Sequence, residues 1–309
     1  MANQSKHFFS WLAAAAALAC AGTAAAQSAV TVYGVADVAV GKVTGQSTRL
    51  FSSATQSNGT SRWGLRGTED LGGGLKASFN LEAEIGMLNG AAAANLFARA
   101  ANLGLSGGFG TVRAGRALTP SWTGVMAWEL TASANYAVVN SQFGYGGAGS
   151  RDNAILSYTT PTWGGLSITA GHILAGNNNN LSKTDLNLIY RSGPLSASLV
   201  YNKVEKAKRN WAAGARYQFD GFALAGSLQD ARGGARGKGF TIGGSMPLGA
   251  STVTLDLARD TVAKDTDAVL ELKYPLSKRT MVYGVLLRNG AGKAATDVNS
   301  TVLGVRHNF

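Results

Sequence analysis

One short pattern in the sequence is typical of nucleophilic catalysis. Residues Gly104 to Gly108 read G-x-S-x-G, in which a serine sits on a sharp turn between a strand and a helix. The residues that follow alternate as another strand instead, and beyond the first 26 residues the sequence has only His172 and His307, in distant strands. A serine nucleophile needs an adjacent base. We therefore predict that the protein is not an enzyme.

A glycine-rich stretch and the rare metal-binding residue types also carry little chemistry. Gly144 to Gly149 fits the spacing of a dinucleotide-binding loop, but no helical pattern follows it, so we expect a flexible loop. Cys20 is the only cysteine, and two isolated histidines do not make a zinc site. The sequence predicts no metal and no cofactor.

The charged residues indicate attraction of anions. The sequence has 28 Lys and Arg against 17 Asp and Glu, a formal net charge of +11. A strongly basic protein is a candidate for binding nucleic acid. The charges are scattered singly through alternating segments, and only Lys203 to Arg209 resembles a basic cluster. We therefore predict no nucleic-acid partner. A positive interior that attracts anionic solutes fits this spacing better.

The elements that must position these charges are strands separated by regularly spaced turns. The gaps between turn centres are about 27 to 36 residues, apart from one of about 54, and each gap has room for two strands and a loop. Seven turns therefore give fourteen strands, and the two terminal strands make sixteen. The turn signals are Asp70–Gly74, Gly107–Gly110, Pro161–Gly165, Ser192–Pro194, Phe219–Gly221, Pro247–Gly249 and Pro275–Ser277.

Within the predicted strands, apolar and polar residues alternate with a period of two. From Leu75 to Ala83, every second residue is apolar, and the residues between are Lys76, Ser78, Asn80 and Glu82. Charges on the second face indicate a barrel with a polar interior and an apolar exterior. A soluble sandwich has the opposite arrangement, and alternation alone does not separate the two.

The first 26 residues have the layout of a secretory signal peptide. Lys6 and His7 precede an apolar stretch of 13 residues from Phe8 to Cys20, which is too short to span a bilayer. Small residues up to Ala26 allow cleavage before Gln27. We predict a signal peptide at 1–26 and a barrel at 27–309. The alternative is a lipoprotein signal that uses Cys20.

The segments just described resemble the general porins of Gram-negative bacteria, of the neisserial and burkholderial type. The match is most specific in 61–76 and continues through Val30–Val35, Phe97–Arg99, Gly104–Gly107, Arg151–Asn153, Leu276–Thr280 and Gly304–His307. The resemblance implies an all-β fold, a transmembrane antiparallel 16-stranded β-barrel with a long third external loop folded into the pore. It also implies a homotrimer in the cell outer membrane, in contact with membrane lipid and lipopolysaccharide, that passes small hydrophilic solutes and ions. Phe309 resembles the terminal aromatic by which the barrel-assembly machinery recognises such barrels.

The resemblance also assigns candidate residues to a pore constriction. Arg62 and Arg99 occupy matching positions, Arg151 starts the strand after the long loop, and we expect Arg66 and Glu82 on the same inward face as Arg62. Family members place acidic residues on the loop, whereas here the only charge from Ala117 to Ser150 is Glu129. A basic wall with a thin acidic side predicts a preference for anions.

Two other functions remain open at this point. One is a barrel enzyme such as an outer-membrane phospholipase, which needs a Ser–His pair on its lipid face. The other is an outer-membrane barrel with an adhesin or structural role and little conduction, which predicts long loops and a plugged lumen. Conductance in a planar bilayer separates these readings from a porin.

Overall fold

The computed structural model describes residues 29–290 and 297–309. The predicted signal peptide, 1–26, lies outside the described residues. The strands are β1 (Ala29–Val43), β2 (Arg49–Phe51), β3 (Arg62–Gly72), β4 (Leu75–Glu84), β5 (Ala100–Gly107), β6 (Gly110–Leu118), β7 (Arg151–Thr159), β8 (Leu166–Ile173), β9 (Lys183–Ser192), β10 (Leu195–Val204), β11 (Asn210–Gln218), β12 (Ala223–Asp230), β13 (Lys238–Leu248), β14 (Ser251–Asp260), β15 (Asp265–Pro275), β16 (Thr280–Asn289) and β17 (Val298–Asn308). Two short helices, α1 (Pro120–Val125) and α2 (Val138–Phe143), lie between β6 and β7.

The strands form one closed antiparallel ring. Of the seventeen strands in the sheet, β2 has three residues and pairs only with β1, so sixteen long strands make up the wall. β1 closes the ring by pairing with β3 on one edge and with β17 on the other. Closure satisfies the backbone N–H and C=O groups of every wall strand without water, as a membrane requires. The predicted 16-stranded barrel is confirmed.

The two faces of the wall differ in the way a membrane barrel requires. Large apolar side chains are exposed on one face, including Leu103 at 66% and Leu303 at 65% of full exposure, while Asp37, Asp185 and Glu271 are buried on the other. Side chains crowd one another on the concave side of a ring, so the polar face is the inner one. A water-soluble protein has the reverse distribution. Neither helix in the described part of the chain is long and apolar enough to cross a membrane.

The two ends of the barrel are distinguished by the lengths of their connections. The seven predicted turns each join two strands at the end that also contains both chain termini. At the other end most connections are longer, above all the 119–150 segment between β6 and β7, which lies in the gap of about 54 residues between two of the predicted turns. Short turns face the periplasm and long loops the exterior in bacterial barrels. We call the two ends periplasmic and extracellular accordingly.

Candidate functional site

Four charged side chains are brought together near the extracellular end of the inner wall. Arg62 begins β3 and Arg151 begins β7, Arg99 immediately precedes β5, and Glu82 lies two residues before the end of β4. All four lie at the same end of the barrel, because neighbouring strands run in opposite directions and the starts of β3, β5 and β7 therefore lie beside the end of β4. Gly64 pairs with Glu82, and the Tyr33 ring occupies the space that a side chain at position 64 would take.

The four side chains form a cluster with one carboxylate at its centre. Glu82 Oε1 lies 2.7 Å from Arg99 Nε and 3.9 Å from Arg151 Nη2, and Glu82 Oε2 lies 3.4 Å from Arg62 Nε. The Tyr33 hydroxyl donates to the same carboxylate at 2.9 Å. Three guanidinium groups therefore surround one carboxylate, which leaves an excess of two positive charges. We call these four residues the arginine cluster.

Backbone contacts hold two of the arginines in place. Arg151 Nε donates to the carbonyl of Arg99 at 2.7 Å, and Arg62 Nη1 donates to the carbonyl of Thr60 at 3.0 Å. Next to Arg151 the pairing of β6 with β7 shifts register between Gly115 and Ala117. Such bulges bend a strand and redirect its side chains. The orientations of Arg62 and Arg151 therefore do not depend on Glu82 alone.

The arginine cluster faces a cavity of about 820 Å³ that the barrel wall and the 119–150 segment line together. Arg113 and Arg306 also line it. Trp122, Ser133 and Tyr145 line it from the 119–150 segment, and burial raises the pKa of the Tyr145 phenol, so this ring stays uncharged. The cavity is therefore bordered mainly by positive and neutral groups.

Two of the predicted site residues lie elsewhere. Arg66 stacks on the Tyr33 ring, with its guanidinium carbon 4.9 Å from the ring centroid, and lines a neighbouring cavity with Asn80 and Arg113. Glu129, the acidic candidate for the constriction on the long loop, is engaged within that loop, where its carboxylate accepts hydrogen bonds from the backbone of Thr131 and Ser133 at 2.8 and 2.7 Å. It is 5% exposed and does not line the cavity of the arginine cluster.

The first half of the 119–150 segment is bonded to the polar face of β9 and β10. The Ser121 hydroxyl and backbone N–H both donate to Asp185, and Asn187 donates to the carbonyl of Pro120. Trp128 Nε1 donates to Ser198 at 3.1 Å, and its ring packs so closely against Gly214 that a Cβ atom there would overlap it. α1 and Trp128 are thus fixed against this part of the wall.

The second half is bonded to β15 on another part of the wall. Tyr136 donates to Glu271, Ser141 to Asp267, and Gln142 to Asp265 at 3.0 Å. Three carboxylates that could have faced an open lumen are engaged by the segment in this way. The period-two spacing of these three carboxylates predicts from the sequence that they face inward. The residues that cover them come from a distant part of the chain, so the sequence pattern does not predict them.

Phe309 closes the barrel at its periplasmic end. Its backbone exchanges two hydrogen bonds with Gly34 of β1, at 3.0 and 3.1 Å. Its ring lies over Gly34 on the outer face, in the space that a Cβ atom would need, and half of the side chain stays exposed.

A closed antiparallel barrel with an apolar outside and a charged inner cavity defines a transmembrane channel of the outer-membrane type. The sequence profile described as Gram-negative porin matches residues 13–293. The chain therefore belongs to the Gram-negative porin family, and it is a β-barrel of the outer membrane.

Individual relatives agree with this assignment. Outer membrane porin protein 32 of Delftia acidovorans is 34% identical over 350 aligned residues, which cover 96% of this chain and 99% of the relative. An outer membrane porin protein of Bordetella pertussis is 29% identical over an alignment that covers 77% of this chain and 73% of the relative. A solved structure described as an anion-selective porin from Comamonas acidovorans superposes with a TM-score of 0.75 at 29% identity, over 92% of this chain and 100% of that one.

Proposed function

We propose that the barrel is a passive diffusion channel for small hydrophilic solutes and ions that prefers anions. The observation that carries the preference is the arginine cluster, in which three guanidiniums face a cavity and one carboxylate opposes them. In a narrow passage with low-dielectric walls, a few unbalanced charges dominate ion selection. The similarity to the anion-selective porin from Comamonas acidovorans supports the same preference.

We further propose that the 119–150 segment narrows the pore and that Arg62, Arg99, Arg151 and Glu82 form the wall of the constriction. The hydrogen bonds of the segment to the inner faces of β9, β10 and β15 support this placement. Arg66 lines the passage at the level of Tyr33. Glu129 orders a turn of the segment, so its charge opposes the arginines less than a carboxylate on the pore surface would.

For the wild-type channel we expect anion selectivity that weakens with salt. In a planar bilayer under a potassium chloride gradient, the sign of the reversal potential should show chloride as the more permeant ion. The preference should shrink as ionic strength rises, because the Debye length falls from about 10 Å at 0.1 M to about 3 Å at 1 M. Cation selectivity at low salt contradicts the proposed anion preference, and no conductance at all favours a structural barrel.

We propose that the mature protein begins at Gln27 and assembles as a homotrimer. The porin family and small outward side chains on β1, such as Ala36, support close approach of barrels there. Gly34 contributes less to that approach than its size suggests, because the Phe309 ring covers it. We expect a high-mass band in native electrophoresis that boiling converts to the monomer. The measured mass of the intact chain should correspond to a protein that begins at Gln27. A monomer in all mild detergents contradicts the trimer.

We propose that Phe309 is an assembly signal read by the barrel-assembly machinery. Its ring is half exposed, so removing it costs at most about 1.5–3 kcal/mol of burial. That loss is small beside a closed network of strand hydrogen bonds. We expect Phe309→Ala to reduce the amount of barrel in the outer membrane strongly, while the assembled fraction unfolds at nearly the wild-type temperature. Normal outer-membrane levels count against the signal role. Phe222→Ala, an exposed periplasmic-end aromatic away from the chain terminus, is the matched control.

A further inference from the structure

At the extracellular rim, the outer face of β10 to β12 carries a basic groove of about 420 Å³. Its charged and aromatic lining residues are Tyr201, Lys203, Lys208, Arg209, Asp230 and Arg232. Arg232 forms a bidentate pair with Asp230, at 2.9 and 2.7 Å, which neutralises the one carboxylate of the groove. Lys203, Lys208 and Arg209 form no salt bridge with any residue that the structure describes. The nearby Glu205 carboxylate accepts hydrogen bonds from Ser182 instead.

The level of this groove relative to the membrane is set by the strands below it. Tyr201 pairs with Trp211, and Trp211 pairs with Asp230, so two aromatic rings stand in one row across the outer face. Aromatic rows of this kind mark the boundary between hydrocarbon and headgroups in outer-membrane barrels. The three cations without a salt bridge therefore lie at headgroup level on the lipid-facing side and at a distance from the pore.

Immediately below the aromatic row, the same strands carry an apolar groove of about 750 Å³. Its floor is formed by Ala213, Ala215 and Gly226, and it runs beside the exposed side chains of Leu228 and Phe240. Small floor residues between large flanking ones leave a channel along the wall that suits a flexible hydrocarbon chain. The strands concerned lie across the ring from β1, where we place the trimer contact, so both grooves stay open to lipid.

We propose that the two grooves together bind one phosphate-bearing acyl lipid of the outer leaflet, the lipid A part of lipopolysaccharide. Lys203, Lys208 and Arg209 bind a phosphate, since guanidinium and ammonium groups make charge-assisted hydrogen bonds to phosphate oxygens. An acyl chain of the same molecule lies in the apolar groove. The site lies on the outer surface, away from the arginine cluster, and its occupation does not depend on the selectivity of the pore.

The test measures binding of diphosphoryl lipid A to the full mature porin, delipidated in neutral detergent, by native mass spectrometry. We expect Lys203→Ser with Arg209→Ser to lower the affinity about tenfold, the change expected for two exposed charge pairs. Gly226→Leu fills the floor of the apolar groove and should also weaken binding several-fold. A lipid A that lacks one phosphate should bind the wild type more weakly than the diphosphoryl form.

The matched control is Lys206→Asn with Lys264→Asn, which removes two exposed extracellular charges that do not line the groove. Both positions have positive φ, which asparagine accommodates well, so the backbone is preserved. Wild-type affinity in the Lys203/Arg209 variant, or an equal loss in the control, overturns the phosphate site. Unchanged binding of lipid A by Gly226→Leu overturns the proposal that an acyl chain binds in the apolar groove. Cross-links between two copies through Leu228 would overturn an open lipid site. Single-channel conductance should stay at the wild-type value in every variant, so failure here is distinct from failure of the channel function.

Discussion

Replacing Arg62 and Arg99 together by serine should abolish most of the anion preference of the channel. The arginine cluster then retains Arg151 against Glu82, so its excess of two positive charges falls to zero. One unit charge about 6 Å from a passing ion contributes about 0.7 kcal/mol even at the dielectric constant of water. Loss of two such charges costs chloride about 1.4 kcal/mol, a factor of about ten, and relieves potassium of the same amount, so the permeability ratio of chloride to potassium should fall by up to about a hundredfold at low salt. The measurement is the reversal potential under a potassium chloride gradient at about 0.1 M and below, where screening is weak.

The control for this double variant removes the same charge from the other end of the barrel. Lys278 and Arg279 lie exposed in the periplasmic turn between β15 and β16, and Lys278→Ser with Arg279→Ser leaves the arginine cluster intact. If the selectivity follows the local field, the control keeps the wild-type reversal potential. An equal change in both double variants would mean that the net charge of the protein, rather than the arginine cluster, selects ions.

The wall of the barrel was predictable from the sequence because its determinants are local. A period of two and a glycine-rich turn are properties of short segments, and all seven predicted turns appear between strands. The excess length between β6 and β7 was visible for the same reason. What the residues of that segment contact was not visible, because hydrogen bonds such as that from Gln142 to Asp265 join residues 123 positions apart.

The candidate site was predictable where it lies at matching family positions and not where it depends on closure of the ring. Arg62, Arg99, Arg151 and Glu82 were predicted, and the structure brings them together. Arg306 was missed as a lining residue, since it reaches the cavity only because the last strand pairs with the first. The partners of Glu129 were not predictable for another reason. Neighbouring backbone N–H groups satisfy its carboxylate locally, and a residue type does not reveal which of two partners it takes.

Excision of the 119–150 segment should convert the channel into a wide pore with little ion preference. The backbone N–H of Thr119 donates to the carbonyl of Ser150 at 3.1 Å, so the ends of the segment already meet. A turn of about four residues can therefore replace 120–149 while β6 and β7 keep their register. Sixteen strands without the segment enclose an open aqueous channel, and we expect the single-channel conductance to rise roughly twofold or more.

The excision should also change ion selection even though every residue of the arginine cluster remains. Removing the segment exposes Asp185, Asp267 and the Glu271–Lys273 salt bridge to the water-filled lumen, where the carboxylates of Asp185 and Asp267 oppose the arginines. A wider passage also increases screening of the fixed charges by salt. We expect the reversal potential to move toward zero or to the cation-selective side, in contrast to a simple widening that keeps the anion preference.

A variant that moves the segment in the opposite direction makes this test specific. Gly214 supports the Trp128 ring from the wall, and a leucine there would occupy the position of the ring and displace it toward the barrel axis. We expect Gly214→Leu to lower the single-channel conductance and the excised barrel to raise it, with both proteins still forming the proposed heat-modifiable trimer. If Gly214→Leu and the excised barrel both conduct like the wild type, the narrowest part of the passage lies elsewhere. A higher conductance in the excised barrel together with a lower conductance in Gly214→Leu would locate the constriction between the 119–150 segment and the arginine cluster. The segment then borders the narrowest part of the passage, because removing the segment widens that part and displacing it toward the barrel axis narrows it.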